Sequence, residues 1–553
     1  AGAVPFSGED PATGTRTVTI ADITDFHGHI EHGADVAAAF TLADSHNPDN
    51  MVPVSTGDLV GGSPYESAVK QDKPTLDMAK VWGLTVSAVG NHEFDRSVAD
   101  FNNRVAAPAN GIDWLCANVS SANKSATGKL SHVKDYTIRT VNGKRIGFVG
   151  ALTDALGSVA TPQITEDADL SERAVDALNR VAGELKRSGK VDAVVALLHA
   201  DASAATGLGR DVDLAYTGHT HAVKQGVADG GAPIYEAGSF GQNMAVQDLI
   251  ITGHGRHAKV QVADVNLGNG TEATAVPGVL NVEGLDAHPR QAAWMSAGVV
   301  SNGSVARSRQ LYTKAKDYAA SAGNAVIGTL APGTNFDKRT SVGHEGSVGM
   351  LVADANRESI MRNVYAGTRL PVVGFSNNGS LRTKQLDMDE DGKVTIREVD
   401  SLMALQFHAA HETLTGLGLK AVLAQQFHRN DDGELEHRWL GISSNVRYRY
   451  VQCGDGGATC TLGDSDGNGN QHTGVKATVG IVDLTIDGRP IADDDLVIIA
   501  SNSYLLQGGD NYSAFRAGSN YGELEMSYTQ SLHEYLAAHP KLSAAVPETG
   551  TRA

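Results

Sequence analysis

The segment Ala88–Asp95, AVGNHEFD, places a polar cluster directly after an apolar-leaning stretch. That stretch, Leu84–Gly90 with the letters LTVSAVG, is typical of a short buried strand, so the polar side chains fall at its carboxyl end. The amide oxygen of Asn91 can bind a metal ion, and the imidazole of His92 can protonate or stabilise a phosphate oxygen. Asp95 can hold that ring in one tautomer. A turn requires none of these groups, so the segment indicates a metal site that handles phosphate.

Four other predicted strands end in side chains of the same kind. Because α/β sheets place their sites at the carboxyl ends of strands, and because an unpaired polar group beside a core is costly, we interpret the five strand ends together as one metal site. Nitrogen and oxygen ligands without a thiolate favour two divalent ions of the Zn, Mn, Fe or Co type, with Asp58 as the bridge. The candidate ligands are Asp25, His27, Asp58, Asn91, His199, His219 and His221.

Length and charge limit the class of protein. A chain of 553 residues is too long for one core and predicts two domains. A net charge of −19 argues against a nucleic-acid polymer or an anionic membrane as the main partner, so an anionic substrate needs local cations. We expect a soluble chain, since no apolar run approaches the roughly 20 residues of a membrane span.

The start of the chain, AGAVPFSGED, carries no targeting segment, although removal of a signal peptide would leave the same start. Cys453 and Cys460 bracket the turn-rich GDGGAT and could close a short loop, which favours an exported protein. We therefore expect an extracellular, periplasmic or wall-associated location.

The ordered motifs resemble those of the calcineurin-like metallophosphoesterase superfamily, and GNHEFD is similar to the version in its 5′-nucleotidase family. The motifs are Asp25-x-His27, Gly57-Asp58, Gly90-Asn91-His92-Glu93, His199 and Gly218-His219-Thr220-His221. The resemblance implies an α/β protein with a four-layer αββα catalytic domain over residues 15–270. A helical connector over 271–325 and a C-terminal α/β nucleotide-binding domain over 326–546 would follow.

The same resemblance implies a role for each site residue of the first domain. One metal would be held by Asp25, His27, Asp58 and His221. The other would be held by Asp58, Asn91, His199 and His219. His92, oriented by Asp95, would stabilise the transition state. The nearby His29 and His32 are interpreted as solvated loop histidines.

Three stretches of the second half resemble the family's nucleotide-binding domain. They are VVGFSNNGSLR, LQF and NSYLLQGGDNYSAF. The resemblance implies that Phe407 and Tyr504 sandwich the base and that Asp510 binds the ribose hydroxyls. Other nucleotide contacts would come from Asn377, Gly379, Arg382 and, as the phosphate-reading arginine, Arg339. Gln406 and His408 depart from the proline and glycine that usually flank the first aromatic.

The segment DMDEDGKVTIRE has the spacing of an EF-hand calcium loop. The loop ligands would be Asp387, Asp389, Asp391, the Lys393 carbonyl and Glu398. The flanking sequence does not predict two helices, so an ordinary loop and strand of the family is the alternative interpretation.

The leading hypothesis is a 5′-nucleotidase that hydrolyses nucleoside 5′-monophosphates with a metal-activated hydroxide and domain closure. Its partner would be a small-molecule nucleotide; the sequence predicts no oligomeric state. The alternatives within the family are a 2′,3′-cyclic-nucleotide 2′-phosphodiesterase with 3′-nucleotidase activity and a nucleotide-sugar hydrolase. The alternative without catalysis is a nucleotide-binding protein with structural metals.

Overall fold

The computed structural model describes residues 14–288, 303–338, 345–405, 407–429, 435–452, 464–465, 471–472, 479–544 and 548–552. Arg339, Cys453 and Cys460 lie outside these ranges, so the predictions made for them stay predictions. The chain forms two compact units, one of residues 1–156 and 163–318 and the other of residues 157–162 and 319–553. No helix within the described ranges is long and apolar enough to cross a membrane.

The first sheet of the first unit has nine strands in the order β14-β15-β12-β1-β2-β3-β4-β5, with β13 also paired to β12. Strands β1 to β5 run parallel to one another, so their carboxyl ends meet at one edge. The strands are β1 Thr15–Ile23, β2 Met51–Ser55, β3 Val86–Ala88, β4 Asp113–Leu115, β5 Val133–Lys134, β12 Asn243–Thr252, β13 Lys259–Asp264, β14 Glu272–Ala273 and β15 Val279–Asn281.

The second sheet has six strands in the order β10-β11-β9-β8-β7-β6. Its central strands β7, β8, β9 and β11 are parallel, and every residue of β8, AVVALLH, is buried, as expected for a parallel strand covered on both faces. The strands are β6 Tyr136–Val141, β7 Lys144–Leu152, β8 Ala193–His199, β9 Leu214–Thr217, β10 Val223–Val227 and β11 Pro233–Ala237.

The two sheets share one apolar core, in which Val18 and Val54 of the first sheet pack with Phe148 and Val195 of the second. Helices cover the outer faces: α7 packs on the second sheet, and α1, which contacts α3, packs on the first. The αββα layering is thereby confirmed. The helices of this unit are α1 Gly33–His46, α2 Tyr65–Ala68, α3 Lys73–Trp82, α4 Val98–Asp100, α6 Pro162–Ala168 and α7 Ala174–Arg187; the short α5 Leu156–Val159 lies at the division between the units.

The first unit continues past residue 270, where the turn-rich sequence predicts its end. Strand β15 pairs antiparallel with β12, and β14 pairs with β15, so this segment extends the first sheet. Helix α8, Gly303–Gly323, follows, and the two units divide between Tyr318 and Ala319 inside it.

The second unit is a mixed α/β structure around a five-stranded sheet of order β22-β17-β28-β19-β29 and a four-stranded sheet of order β27-β26-β23-β30. Its larger core includes Phe375, Leu414, Ile499 and Phe515. The helices are α9 Ser347–Asn363, α10 Ile396–Leu402, α11 Gly416–Ala424, α12 Ser503–Leu506 and α13 Tyr528–Ala538.

The strands of the second unit are β16 Val326–Thr329, β17 Val372–Ser376, β18 Lys393–Thr395, β19 His408–Thr415, β20 Phe427–Arg429, β21 Leu435–His437, β22 Gly441–Ile442, β23 Val446–Gln452, β24 Asp464–Ser465, β25 Gln471–His472, β26 Val479–Ile486, β27 Arg489–Pro490, β28 Leu496–Asn502, β29 Ser519–Ser527 and β30 Gly550–Arg552.

Candidate metal centre and nucleotide site

The seven predicted metal ligands come together at one place in the first unit. Strands β1, β2 and β3 of the first sheet carry four of them at their carboxyl ends, and strands β8 and β9 of the second sheet carry the other three. The site therefore forms where the corresponding edges of two parallel sheet regions meet. Within the described residues, two ligand groups could hold a metal ion: Asp25, His27 and His221, and Asp58, His199 and His219.

The first group converges on a carboxylate oxygen of Asp25. His221 Nε2 lies 3.4 Å from Asp25 Oδ1 and 3.3 Å from His27 Nε2. His27 Nε2 lies 3.7 Å from Asp25 Oδ1 and 3.5 Å from Asp58 Oδ2. Asp58 thus stands at the edge of this group as well as in the second one.

The second group converges on Asp58 and Asn91. Asp58 Oδ2 lies 3.0 Å from His199 Nε2. Asn91 Oδ1 lies 3.2 Å from His199 Nε2 and 3.1 Å from His219 Nδ1. Asp58, His199 and His219 offer three nitrogen and oxygen ligands. The amide oxygen of Asn91 lies beside both imidazoles and could serve as the fourth.

The polar atoms of Asp25 test whether a cation fits. Its Oδ2 accepts from Thr24 Oγ1 at 2.7 Å and from the His219 amide at 2.8 Å. Its Oδ1 is buried and has no hydrogen-bond partner within the described residues, while it faces the imidazole nitrogens of the first group. A buried carboxylate oxygen without a partner is costly, and a metal ion would satisfy it. The residues therefore fit a divalent cation.

The charges of the site lead to the same conclusion. Burial alone raises the pKa of a carboxyl group and lowers that of an imidazole. Here opposite charges outweigh burial, because the imidazoles around them hold the pKa of Asp25 and of Asp58 below its ordinary range. In return, Asp58 and Asp25 raise the pKa of His199 to about 10. A bound cation would replace these protons and leave the imidazoles neutral.

Five of the seven ligands have a left-handed backbone, which is rare for residues other than glycine. Their φ angles lie between +48° and +77°. Such a conformation costs about 1–2 kcal/mol per residue and persists where the surrounding structure enforces it, often at functional sites. The five residues are Asp25, His27, Asp58, His219 and His221.

Glu93 has no role in the sequence-based hypothesis, yet its buried carboxyl joins two ligand turns. Its Oε1 accepts from the amides of Asp58 at 2.7 Å and Gly90 at 2.8 Å, and its Oε2 accepts from Val60 at 3.2 Å. Gly90 is required there, because a Cβ at that position would clash with Asp58 Oδ1 and with the Asp58 amide. The signal for Glu93 is its position three residues after Gly90, the spacing of a capping glutamate.

The predicted pairing of His92 with Asp95 is present. His92 Nδ1 lies 2.9 Å and 3.0 Å from the two carboxylate oxygens of Asp95, and the His92 ring centroid is 5.0 Å from that of His27. Because a carboxylate only accepts, Nδ1 carries the hydrogen of the neutral ring. The His92 amide also donates to Asp58 Oδ1 at 2.9 Å, so the ring is anchored beside the ligands.

In the second unit, Phe407 and Tyr504 stack directly on each other, with ring centroids 5.0 Å apart and planes 15° from parallel. A base between two rings needs about 3.5 Å on each side. The other face of Tyr504 is covered, since a Cβ on Gly509 would lie 2.6 Å from its ring atoms. The pair is therefore closed in this structure, and a base could enter only if the rings separate.

Asp510 lies beside this pair with both carboxylate oxygens engaged. Tyr504 Oη donates to its Oδ1 at 2.7 Å, and Asn377 Nδ2 donates to its Oδ2 at 2.7 Å. A Cβ on Gly379 would lie 3.3 Å from that second oxygen. The structure thus brings together five of the residues predicted to bind the nucleotide: Phe407, Tyr504, Asp510, Asn377 and Gly379.

The comparisons with known proteins cover both units. Residues 326–517 match the family model of the 5′-nucleotidase C-terminal domain. The chain is 24% identical to cell wall protein Lmo0130 of Listeria monocytogenes over 93% of its length, and 27% identical to protein UshA of Yersinia enterocolitica over 34%. A solved 5′-nucleotidase precursor of Thermus thermophilus shares the fold with a TM-score of 0.66 at 16% identity, over 97% of this chain and 99% of that one.

Residues 326–517 therefore belong to the 5′-nucleotidase C-terminal domain family. The chain spans 66% of the length of the Listeria protein and 34% of that of UshA. The two compact units together share the fold of the Thermus protein, and the family match lies within the second unit.

Arg382, which the family resemblance places at the nucleotide, is directed to the backbone in this structure. Its Nη1 lies 3.4 Å from the Gly379 carbonyl oxygen, and its amide donates to the Leu402 carbonyl at 2.7 Å. Its element, Asn377–Arg382, nevertheless begins at the carboxyl end of β17 and runs past Asp510. Arg382 therefore stays a predicted nucleotide contact.

The calcium-like loop of this chain combines features of both interpretations. Gly392 has φ +75° and strand β18 pairs with β16, while helix α10 begins at the tenth loop position. Bends and an isolated β-bridge at Gln385, not a helix, precede the loop.

The acidic side chains of the loop are bound to backbone amides. Asp387 Oδ2 accepts from Gly392 at 2.7 Å, Asp391 Oδ1 accepts from Lys393 at 3.0 Å, and Glu398 Oε1 accepts from Thr395 at 3.0 Å as part of a capping box. The loop is not among the ligand groups found in the described residues. Calcium binding by Asp387, Asp389, Asp391, Lys393 and Glu398 stays a prediction.

Proposed function

We propose that this protein hydrolyses nucleoside 5′-monophosphates to nucleoside and phosphate with two divalent ions of the Zn, Mn, Fe or Co type. The observation that carries the proposal is the buried Asp25 Oδ1, which has no hydrogen-bond partner among the described residues and faces the Nε2 atoms of His27 and His221.

The ions would polarise the phosphoryl group and lower the pKa of a water molecule. The protein's own residues prepare the site for this chemistry. Glu93 holds the Asp58 and Gly90 turns together, so both ligand groups keep one arrangement. Asp95 holds the hydrogen of His92 on Nδ1, so Nε2 of the neutral ring can accept a proton, and the protonated ring can donate a hydrogen bond from Nε2 to a phosphoryl oxygen.

Residues of the second unit support the proposal that the substrate contains a nucleoside. Phe407 and Tyr504 offer aromatic faces to a base once they separate, and Asp510 offers carboxylate oxygens to ribose hydroxyls. The matching domain carries the 5′-nucleotidase name, and the Thermus protein of the same fold is titled a 5′-nucleotidase precursor.

The test is phosphate release from AMP by the purified chain with Mn²⁺ or Zn²⁺, against a chelated control. A panel of 3′-AMP, 2′,3′-cyclic AMP and UDP-glucose identifies the substrate. We expect metal-dependent release that is fastest from AMP. Faster release from the cyclic nucleotide or the sugar nucleotide would replace 5′-nucleotidase activity by that alternative, and no release from any of them would favour a binding protein with structural metals.

We also propose that the protein is exported. The support is the predicted loop between Cys453 and Cys460, together with the similarity to a relative named a cell wall protein. Peptide mapping of protein isolated without reductant should recover the two cysteines as one disulfide-linked pair. Two free thiols in that material would contradict the proposal.

A further inference from the structure

The histidines of the first sheet and of β8 are oriented by backbone hydrogen bonds. His27 Nδ1 lies 2.7 Å from the Gly61 carbonyl oxygen, and His199 Nδ1 lies 2.7 Å from the Thr56 carbonyl oxygen. In each ring the other nitrogen then faces the ligand group. Metal-binding histidines almost always have such a partner, because it fixes both the tautomer and the ring orientation.

His221 lacks this partner. Its Nε2 faces Asp25 Oδ1 and His27 Nε2, but its Nδ1 has no hydrogen-bond partner in the described part of the chain. The side chain is also 31% exposed, whereas those of His27 and His199 are 1% and 0% exposed. Something other than a hydrogen bond must hold this ring toward the ligand group.

Phe240 is the side chain in position to hold it. Its ring centroid lies 5.1 Å from that of His221 at an interplanar angle of 74°, and 6.0 Å from that of His27 at 65°. Edge-to-face contacts at these distances are favourable. On another side, the His29 ring stacks on Phe240 at 4.0 Å, so His29 is a packed residue and not only a solvated loop histidine as the sequence predicted.

The backbone places Phe240 there at a cost. Its φ is +62°, a left-handed conformation that is an outlier for a bulky residue. Its amide donates to the Asp25 carbonyl oxygen at 2.9 Å, which ties the turn to the ligand strand. The next residue must be glycine, because Gly241 has φ +71° and a Cβ added there would lie 2.9 Å from Val36 and 3.0 Å from Phe26.

We propose that Phe240 is a positioning residue for His221, and that its ring fixes the imidazole orientation that a backbone carbonyl fixes at His27 and His199. The inference rests on the proposed function, because it requires His221 to hold a metal ion. Phe240 itself would touch neither the ion nor the phosphate. Loss of its ring should therefore weaken the binding of one of the two ions and leave the binding of the other unchanged.

The test compares the metal affinities of the full chain and its variants. Chelator-treated protein is titrated with Zn²⁺ against a chromophoric competitor, and the visible spectrum of the Co²⁺-loaded protein reports ligand geometry. We expect Phe240→Leu and Phe240→Ala to lower the affinity for one ion by about 10- to 100-fold and to leave the affinity for the other unchanged. Both variants should also alter the Co²⁺ spectrum. Phe240→Tyr, which keeps the ring, should retain both affinities.

Phe101→Leu is the matched control, because Phe101 is a fully buried aromatic residue whose ring contacts, within the described residues, are with Phe94 and Trp114 and not with a ligand histidine. It should lower the melting temperature without changing either affinity. The inference alone is overturned if Phe240→Leu binds both ions with wild-type affinity, or if its affinities for the two ions fall equally. A wild-type protein that takes up no ion overturns the proposed function and the inference together.

Discussion

Asp58 is the side chain at which the two ligand groups meet. Its Oδ2 lies 3.0 Å from His199 Nε2 and 3.5 Å from His27 Nε2. Because it is the only carboxylate proposed to touch both ions, Asp58→Asn should abolish turnover and lower metal content from two ions toward one or none. Elemental analysis of the purified variant measures this. Two bound ions with retained activity would remove Asp58 from the bridging role.

His92 lies beside the ligands but is assigned to the phosphate. His92→Ala should leave both ions bound and lower kcat by about 10²- to 10⁴-fold, the range expected for the loss of a transition-state proton or charge partner. Asp95→Asn is the companion variant, since it keeps the volume and disturbs only the hydrogen held at His92 Nδ1. If the metal content of His92→Ala falls as well, His92 is a ligand.

At the scale of elements, the proposed recognition of the nucleoside can be tested apart from the phosphate chemistry. The two stacked rings that would hold the base lie directly before β19 and on α12. Tyr504 is buried and its hydroxyl is bonded to Asp510, so Phe407 is the better ring to remove. Stacking on one ring contributes about 1–3 kcal/mol per base. Phe407→Ala should therefore raise the KM for AMP about tenfold, with little change in the hydrolysis of p-nitrophenyl phosphate.

The two substrates control for each other. Equal losses for AMP and p-nitrophenyl phosphate would point to damage at the metal centre or in folding. No change for either would make Phe407 a core residue, and the assignment of the base site would lose its main support.

Strand β19 also carries a carboxyl group into the core of the second unit. Glu412 lies on the strand face of Ala410 and Leu414, and its Oε1 has no hydrogen-bond partner within the described residues. Burial raises its pKa well above the ordinary 4.5. Tyr521 is the titratable neighbour whose own pKa responds to it.

This carboxyl group makes the stability of the second unit depend on pH. Above about pH 4.5 the unfolded chain loses the Glu412 proton while the folded chain keeps it, so the free energy of unfolding falls as pH rises toward the folded-state pKa. Glu412→Gln, which cannot ionise, should match the wild type near pH 4.5 and exceed its melting temperature at about pH 8. Parallel pH profiles of the two proteins would contradict this expectation.

At the scale of the whole molecule, the two units have separate cores, and we propose a separate ligand for each. We therefore expect calorimetry to show two unfolding transitions. Removal of metal should lower the midpoint temperature only for the unit with the metal centre. An ion that binds the folded state stabilises it by RT ln(1 + [L]/Kd). Adding AMP to the chelated protein should raise only the midpoint temperature of the second unit's transition. A single transition that moves with both ligands would mean that the units unfold together.

The sequence by itself determined the strands and the ligands at their ends. The apolar runs that precede Asp25, Asp58, Asn91 and His199 are local patterns, and polar groups directly after them are costly unless they serve a site. The motif resemblance likewise predicted the αββα layering. Information of this kind is contained in neighbouring residues, so no tertiary structure is needed to find it.

Only the tertiary structure decided which of these ends meet and how. It showed that the ligands come from two sheets, that Glu93 joins two turns, that Phe407 and Tyr504 close on each other, and that Phe240 packs on His221. Each of these facts depends on the pairing of strands and the packing of side chains that are distant in the chain. Local sequence patterns do not specify such contacts, because the order of the strands in a sheet is set by how the whole core packs.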